Sequence, residues 1–417
     1  MKNIFDIDNF REIWQAISRN KTRSFLTGFG VLWGIFMYVT MMSAGNGFEN
    51  GFMEGITDMQ NNSLFVANSP TTVEYKGFNT GRLWTMNSDD VRAIKEKIPE
   101  VEYISGLVFA SGSNHISRND RSGQFAIRGN DEVYYNIEAQ PLVYGRYFNR
   151  LDLKEKRKIC ILGMKVYEQL FEPDVDPVGE MVSIDGIPYI VVGVVNPTGK
   201  ISMGSEGVST VYIPSTTLQQ VYNYGNDIDI IMLTAYPHVD ITDIERKVST
   251  LMKERHMIAP EDETAVMTMN LQQIFLAFRY LFLGMDILIW IVGMGTLLAG
   301  VVGVSNIMLV SIKERTREIG IKRALGAKPS VIIIQIMSES MLLTFIAGFF
   351  GLFFGVILSV LLDSTLGNSS EMFSNPYISF SMAIIASAII LVSGALAGII
   401  PARNALKVKP IDAIREE

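Results

Sequence analysis

Few residues in this sequence could do chemistry, and their neighbours decide what each is worth. Glu339 stands in an apolar stretch, Gln335-Ile336-Met337-Ser338-Glu339-Ser340. An ionisable side chain there should face other helices or a cavity rather than lipid, as an interhelical hydrogen-bond anchor or in a transport role. The anchor is the plainer reading. Asp286 also lies in an apolar run. If Lys313 marks the inner edge of that run, ~30 Å of helix ends near Trp290, which puts Asp286 in a stalk at the outer edge. Cys160 is the single cysteine, so no intramolecular disulfide forms. It sits in Lys158-Ile159-Cys160-Ile161-Leu162, a buried-strand pattern in which a thiol is a small core hydrophobe.

Enzyme signatures are missing. The sequence has no Gly-x-x-x-x-Gly-Lys-[Ser/Thr] loop for nucleotide phosphates and no Gly-x-Ser-x-Gly elbow. His115, His238 and His256 are scattered, with no second His or Cys at ligand spacing, so no metal site is expected. No catalytic and no cofactor-binding residue is assigned. Gly199–Gly207 is rich in Gly and Ser; it reads as a mobile loop, with contact to a substrate or partner as the alternative.

The elements that would carry these residues are dominated by four apolar runs, at about Phe25–Ala44, Tyr280–Ile312, Val331–Leu362 and Ile378–Ile400. Each can cross a hydrocarbon core, which needs roughly 20 apolar residues. The expected order is a cytoplasmic amphipathic helix (1–24), membrane helix 1 (25–46), a large outer domain (47–279), membrane helix 2 with a stalk (280–312), an inner segment (313–330), helix 3 (331–362), an outer loop (363–377), helix 4 (378–400) and a cytoplasmic tail (401–417). Helix 1 is expected to continue past Gly45 through Phe48, Phe52 and Ile56. Upstream, Phe10, Ile13, Trp14 and Ile17 fall at i, i+3, i+4, i+7, the spacing of an amphipathic helix, read as lying on the inner leaflet with packing on protein as the alternative. The ladder Gly348, Gly351, Gly355 with Gly394 and Gly398 suits close helix packing.

Charge sets the expected orientation. Arg11, Arg19, Lys21 and Arg23 precede the first run. Six Lys/Arg lie between the second and third runs, and Arg403, Lys407, Lys409 and Arg415 follow the fourth. The segment Asp363–Tyr377 has none. Short basic segments stay in the cytoplasm, so both termini and the 313–330 segment are expected inside. Residues 47–280 carry 21 Lys+Arg against 31 Asp+Glu. An acidic domain of that kind is a poor nucleic-acid binder.

The outer domain has a mixed α/β pattern. Strands are expected at Leu64–Ala67, Ser105–Ala110, Gly123–Arg128, Ile230–Tyr236 and Ala265–Asn270. Helices are expected at Val91–Lys97, capped by Ser88-Asp89-Asp90, and at Asp243–Arg255. Strand-helix-strand at each end suggests one α/β unit split by a β-rich insertion at about 138–226.

The segment between the second and third runs reads Lys313-Glu314-Arg315-Thr316-Arg317-Glu318-Ile319-Gly320-Ile321-Lys322-Arg323-Ala324-Leu325-Gly326-Ala327. By residue type it is a short basic helix closed by a glycine, tied to two membrane helices. The string resembles the signature of the FtsX/MacB-type ABC transporter permeases. So does Pro401-Ala402-Arg403-Asn404-Ala405 with Lys409-Pro410-Ile411-Asp412-Ala413-Ile414-Arg415. In the outer domain, Cys160-Ile161-Leu162-Gly163, Leu170-Phe171, Asp176-Pro177-Val178-Gly179, Ile190–Val195 and Val211-Tyr212-Ile213-Pro214 resemble the MacB periplasmic core.

The resemblance implies an α-helical membrane protein with four transmembrane helices and a large periplasmic α/β domain between helices 1 and 2. That domain would be a Porter-like unit carrying a β-rich Sabre-like insertion. It implies a non-catalytic permease in the cell inner membrane, paired with a second copy or a paralogue. Cytoplasmic ABC ATPase subunits would hold the ATP and Mg. In MacB the ATPase is fused upstream; about 24 residues precede the first helix here, so a separate ATPase chain is expected. The segment 313–327 would be the coupling helix seated on the ATPase, with Glu318 and Arg323 needed for coupling but not for folding. Three functions fit the resemblance: MacB-like efflux with a periplasmic adaptor and outer-membrane channel, lipoprotein release of the LolC/LolE kind, or FtsX-like control of a cell-wall hydrolase. The roughly 230-residue outer domain argues against the third.

Overall fold

The structure is a computed structural model that describes residues 21–56, 58–199, 206–367, 373–377 and 380–407. The expected amphipathic stripe Phe10–Ile17, most of the 199–207 loop and the basic tail from 408 on lie outside the described residues. In chain order the elements are α1 (Lys21–Gly55), β1 (Ser63–Asn68), β2 (Met86–Asn87), α2 (Ser88–Lys97), β3 (Val101–Phe109), β4 (His115–Arg118), β5 (Arg121–Gln124) and β6 (Ala126–Asn130). Then come α3 (Tyr134–Ile137), β7 (Leu142–Gly145), α4 (Arg150–Lys154), β8 (Ile159–Gly163), α5 (Met164–Leu170), β9 (Met181–Ile184), β10 (Ile187–Val195), β11 (Thr210–Pro214), α6 (Ser215–Val221), β12 (Asp227–Ile228) and β13 (Ile230–Ala235). The last are α7 (Ile241–Arg255), β14 (Val266–Asn270), α8 (Leu271–Glu314), α9 (Thr316–Ala324), α10 (Pro329–Leu362) and α11 (Phe380–Leu406).

Two compact units result. One is Met53–Tyr280; the other holds the described residues up to Phe52 and from Leu281 onward. In the first, a twelve-stranded sheet runs β14-β1-β13-β3-β6-β11-β8-β10-β9-β4-β5, with β7 on β10. β14, β1, β13 and β3 pair antiparallel. β3 meets β6 over only Val108↔Gly129 and Phe109↔Arg128, and β6 then runs parallel to β11. β6 is therefore the hub between two lobes. The second lobe starts before residue 138, because the β4–β5 hairpin pairs with β9. The insertion expected at about 138–226 thus takes in residues from 115. The sequence hid this because β4 and β5 are short, polar and separated from their partner by about 60 residues.

Local chemistry explains the elements. All five residues of β8 are buried, so a continuous apolar run replaces alternation. Cys160 is fully buried there, and burial pushes its thiol pKa up, which leaves it unreactive. The cap of α2 is Asn87, one residue ahead of the expected Ser88: its Oδ1 accepts from Asp90 N, while Asp90 Oδ2 accepts from Asn87 N. Glycines at the ends of the expected mobile loop are held. Gly199 N donates to Asp58 Oδ2 at 2.6 Å, and Gly207 is buried.

Among the described residues four helices are long and apolar enough to cross a membrane, within α1, α8, α10 and α11. α1 continues to Gly55, as the stalk expectation required, and α8 begins at Leu271, ahead of the expected Tyr280. The glycine ladder sits where helices touch. A Cβ on Gly351 would lie 2.6 Å from Leu32 O and one on Gly355 2.7 Å from Val39 Cγ1, both on α1. Gly394 and Gly398 of α11 face Thr344 and Ser340 of α10, and Ser340 Oγ donates to Gly394 O at 3.0 Å. Small residues let backbones approach where lipid supplies no hydrophobic drive.

Candidate functional site

The basic segment between α8 and α10 is built by three local breaks. Helical angles stop at Arg315 (φ −103°, ψ 14°), and α9 then runs nine residues. Gly326 takes φ +90°, the left-handed conformation that ends helices and that a β-carbon resists. Its neighbour Ala327 N donates back to Lys322 O at 3.0 Å, satisfying a terminal carbonyl. Lys328 then leads into Pro329 at the first position of α10, where a missing N–H is harmless.

The 3.6-residue period divides the segment into two faces. Arg315, Ile319 and Arg323 recur at i, i+4, i+8 on the inward face. Arg315 Nη1 lies 3.2 Å from Glu339 Oε1 and 3.4 Å from Oε2. Glu339 is 7% exposed, so its charge has a partner in place of water. Its ion-pair partner lies in the basic segment between α8 and α10 rather than on another membrane span. Ile319 packs against the apolar core of the helices. Arg323 Nη1 donates to Leu406 O at 2.8 Å, the last carbonyl of α11, one of the groups a helix leaves unsatisfied at its end. Gly320 is buried beneath. A pocket lies under the segment, lined by Met308, Ile312, Arg315, Glu318, Lys322 and Glu339.

The outward face is different. Lys313, Glu314, Arg317, Glu318, Ile321, Ala324, Leu325 and Gly326 are exposed, and Ala327 is half-buried. Ile321 is 43% and Leu325 83% exposed. Two apolar side chains one turn apart, flanked by Arg317 and Lys328, form a small amphipathic surface that nothing in the chain covers among the described residues. Of the two residues expected to matter for coupling without affecting folding, Glu318 is exposed, whereas Arg323 is a packing tie between α9 and α11. The signal that separates them is the i, i+4, i+8 spacing, which was in the sequence.

A second constellation has no sequence signature. Arg128 on β6 is fully buried, with Glu138 Oε1 3.6 Å away and its guanidinium 4.9 Å from the Tyr134 ring and 5.0 Å from the Tyr212 ring. Arg128 Nη2 donates to Tyr134 Oη, and Gln140 Nε2 donates to Tyr212 Oη at 2.9 Å. Burial opposes the Arg128 charge, but Tyr134, Tyr212 and Glu138 outweigh it and hold the pKa above the ordinary value. The same loop holds the chain that follows α1: Ala139 N donates to Asp58 O at 2.7 Å and Gln60 N to Ile137 O at 3.2 Å. Arg128 is a positioning residue at the hub of the sheet. No cluster of three or more His, Cys, Asp or Glu with metal-binding geometry occurs among the described residues.

Comparison with known proteins gives two family matches: a MacB-like periplasmic core domain over residues 24–251 and an FtsX-like permease C-terminal region over residues 290–410. Among curated relatives, the pyoverdine export ATP-binding/permease protein PvdT of Pseudomonas putida is 27% identical over 413 residues, covering 99% of this chain and 60% of that protein. The macrolide export ATP-binding/permease protein MacB of Chlorobaculum tepidum is 29% identical over 408 residues, covering 97% and 61%. The chain thus spans about 60% of the length of these relatives. Among solved structures, the periplasmic region of MacB from Actinobacillus actinomycetemcomitans aligns with a TM-score of 0.44 at 18% identity, over 54% of this chain and 97% of that one.

Proposed function

We propose that this chain, which belongs to the MacB-like periplasmic core domain family and carries an FtsX-like permease region, is the permease of a mechanotransmission ABC transporter in a bacterial inner membrane. It works as a dimer, with ATP hydrolysed by ABC ATPase domains outside these 417 residues, since the sequence has no Walker loop. The segment 313–327 seats on the ATPase. Closure of the ATPase displaces it, and the displacement is converted to work on a substrate at the periplasmic side.

The observation that carries this reading is the division of the coupling segment into two faces. The inward face is pinned by Arg315–Glu339 and Arg323–Leu406, so the segment cannot slide independently of α10 and α11. The outward face offers Ile321 and Leu325 to a partner. An exposed apolar pair with a basic rim, covered only when a partner docks, is what a transient but specific protein contact uses. Burying a Leu side chain contributes about 1.5–3 kcal/mol, so one charge placed there should be decisive.

The test is co-purification of the tagged chain, wild type and Ile321→Glu/Leu325→Glu. The variant should keep its thermal midpoint in detergent and lose the ATPase that comes with the wild type. Retention of the ATPase by the variant rules out this docking face. An adaptor and outer-membrane channel in the wild-type pull-down identify efflux; lipoproteins identify lipoprotein release.

A further inference from the structure

Ser43, Asn46 and Asn50 lie on one face of α1, at i, i+3, i+7, near its outer end. Each donates to a different carbonyl of one short segment. Ser43 Oγ donates to Pro376 O at 2.7 Å, Asn46 Nδ2 to Tyr377 O at 3.2 Å and Asn50 Nδ2 to Asn375 O at 3.0 Å. The segment answers with its own donor: Ser374 N donates to Gly47 O at 3.0 Å. Phe373 is 2% exposed and meets the Phe48 ring edge-on, with centroids 5.2 Å apart. A Cβ on Gly47 would lie 2.5 Å from Phe373 Cε2, so the approach depends on glycine there. Four hydrogen bonds and an aromatic clamp hold five residues of an outer connection against one helix. A connection that merely closed the α10–α11 hairpin would need none of these.

We propose that residues 373–377 are a strap that fastens α1 to the α10–α11 hairpin at the outer membrane boundary. The strap makes α1, α10 and α11 one body, so that a displacement of the coupling segment reaches the outer end of α1. The second half of this statement rests on the coupling reading above; the strap itself does not. The physical route is continuous. Arg315–Glu339 ties the coupling segment to α10, Gly351 and Gly355 seat α10 on α1, and the strap closes the outer end. Without it, the outer end of α1 loses an array of four directional hydrogen bonds, of which Ser43–Pro376 is buried, and side-chain packing alone resists shear less.

The experiment places spin labels on Glu49→Cys and Ser364→Cys in the full chain, purified with whatever ATPase accompanies it. The distance distribution is measured with ADP and with ATP plus vanadate. The expected result is a single narrow distribution, identical in both states. In the strap-cut variant Ser43→Ala/Asn46→Ala/Asn50→Ala, and independently in Gly47→Val, the distribution broadens. ATP-driven change in a second label pair on the two copies' outer domains is then lost, while the ATPase stays bound. A narrow distribution in the cut variants overturns the strap. A wild-type distribution that shifts with nucleotide also overturns it, because the contact is then a latch that opens. Absence of an ATPase, with the narrow-to-broad difference intact, counts against the coupling reading and leaves the strap standing.

Discussion

The two units of this chain differ in where their large apolar residues go. In Met53–Tyr280 the large apolar residues are inside: Leu64, Leu162, Val211, Ile231 and Leu233 are all 0% exposed. The helical unit keeps an apolar core of its own, with Val31, Ile35 and Val304 buried, but it also turns many large apolar residues outward, as with Leu298 at 53%, Phe349 at 53% and Ile291 at 68%, while Ser43, Ser340, Thr344 and Ser393 are buried. The difference follows from the solvent. Water drives apolar surface together, whereas lipid tails are as apolar as Leu and leave small residues, close contacts and hydrogen bonds to hold helices. The same residue type therefore carries opposite information in the two units. A buried polar group is a problem to be solved in one and the means of assembly in the other.

The contrast can be broken, and the largest effect is expected where a charge is buried among the helices. Arg315→Met takes the paired guanidinium from Glu339 and leaves it Gln335 and the charge of Lys322, and removing one partner of a buried pair costs up to about 3–5 kcal/mol. A calorimetric or fluorescence midpoint in detergent should fall, and Glu339→Leu added to Arg315→Met should restore most of it. An unchanged midpoint in the single variant means the pair is no tie.

Next come apolar truncations of the same chemistry in the two units. Leu233→Ala should destabilise the outer unit by about 2–5 kcal/mol. Leu298→Ala, on the exposed face of α8, should stay within about 0.5 kcal/mol. Equal effects would erase the distinction drawn above. Adding volume separates contact from open surface within the helical unit. Gly351→Val should cost about 1–3 kcal/mol through its contact with Leu32 O, whereas at Gly295 nothing lies within 4 Å of a new Cβ and the cost should be smaller.

The smallest effect is a pH dependence of the outer unit. Asp262 is fully buried and accepts from Thr72 N at 2.7 Å, Thr72 Oγ1 at 2.9 Å and Thr264 Oγ1 at 3.1 Å. Burial alone would raise its pKa, but these donors outweigh it and hold the carboxyl well below the usual carboxylate range. A lowered folded-state value means the contribution is present above the unfolded value, about 3.9, and is lost as pH falls below it. Thermal midpoints of the outer unit should therefore drop on acidification below about pH 4, and less steeply in Asp262→Asn. An identical acid limb in the variant would remove Asp262 from the account.

Much was legible in the residues alone. Four apolar runs, the extension of α1 past Gly45, the strands at 230–235 and 266–270 and the short basic helix ending at Gly326 all follow from local patterns. Local signals work here because a span is set by length and hydropathy, and a helix end by a glycine's freedom to take positive φ. Residue chemistry also said that Glu339 must face protein, which is a statement about solvation and needs no partner.

Only the tertiary structure decided which partner. That Glu339 meets Arg315, that Arg323 caps α11 while Leu325 is left exposed, and that Asn50 reaches Asn375 across 325 residues depend on where distant segments are brought together. The Arg128 cage and the β4–β9 pairing belong to the same class. The physical reason is range. Backbone preference and hydropathy act within a few residues, whereas an ion pair or a strand register is fixed by the packing of elements whose order along the chain says little about their neighbours in space.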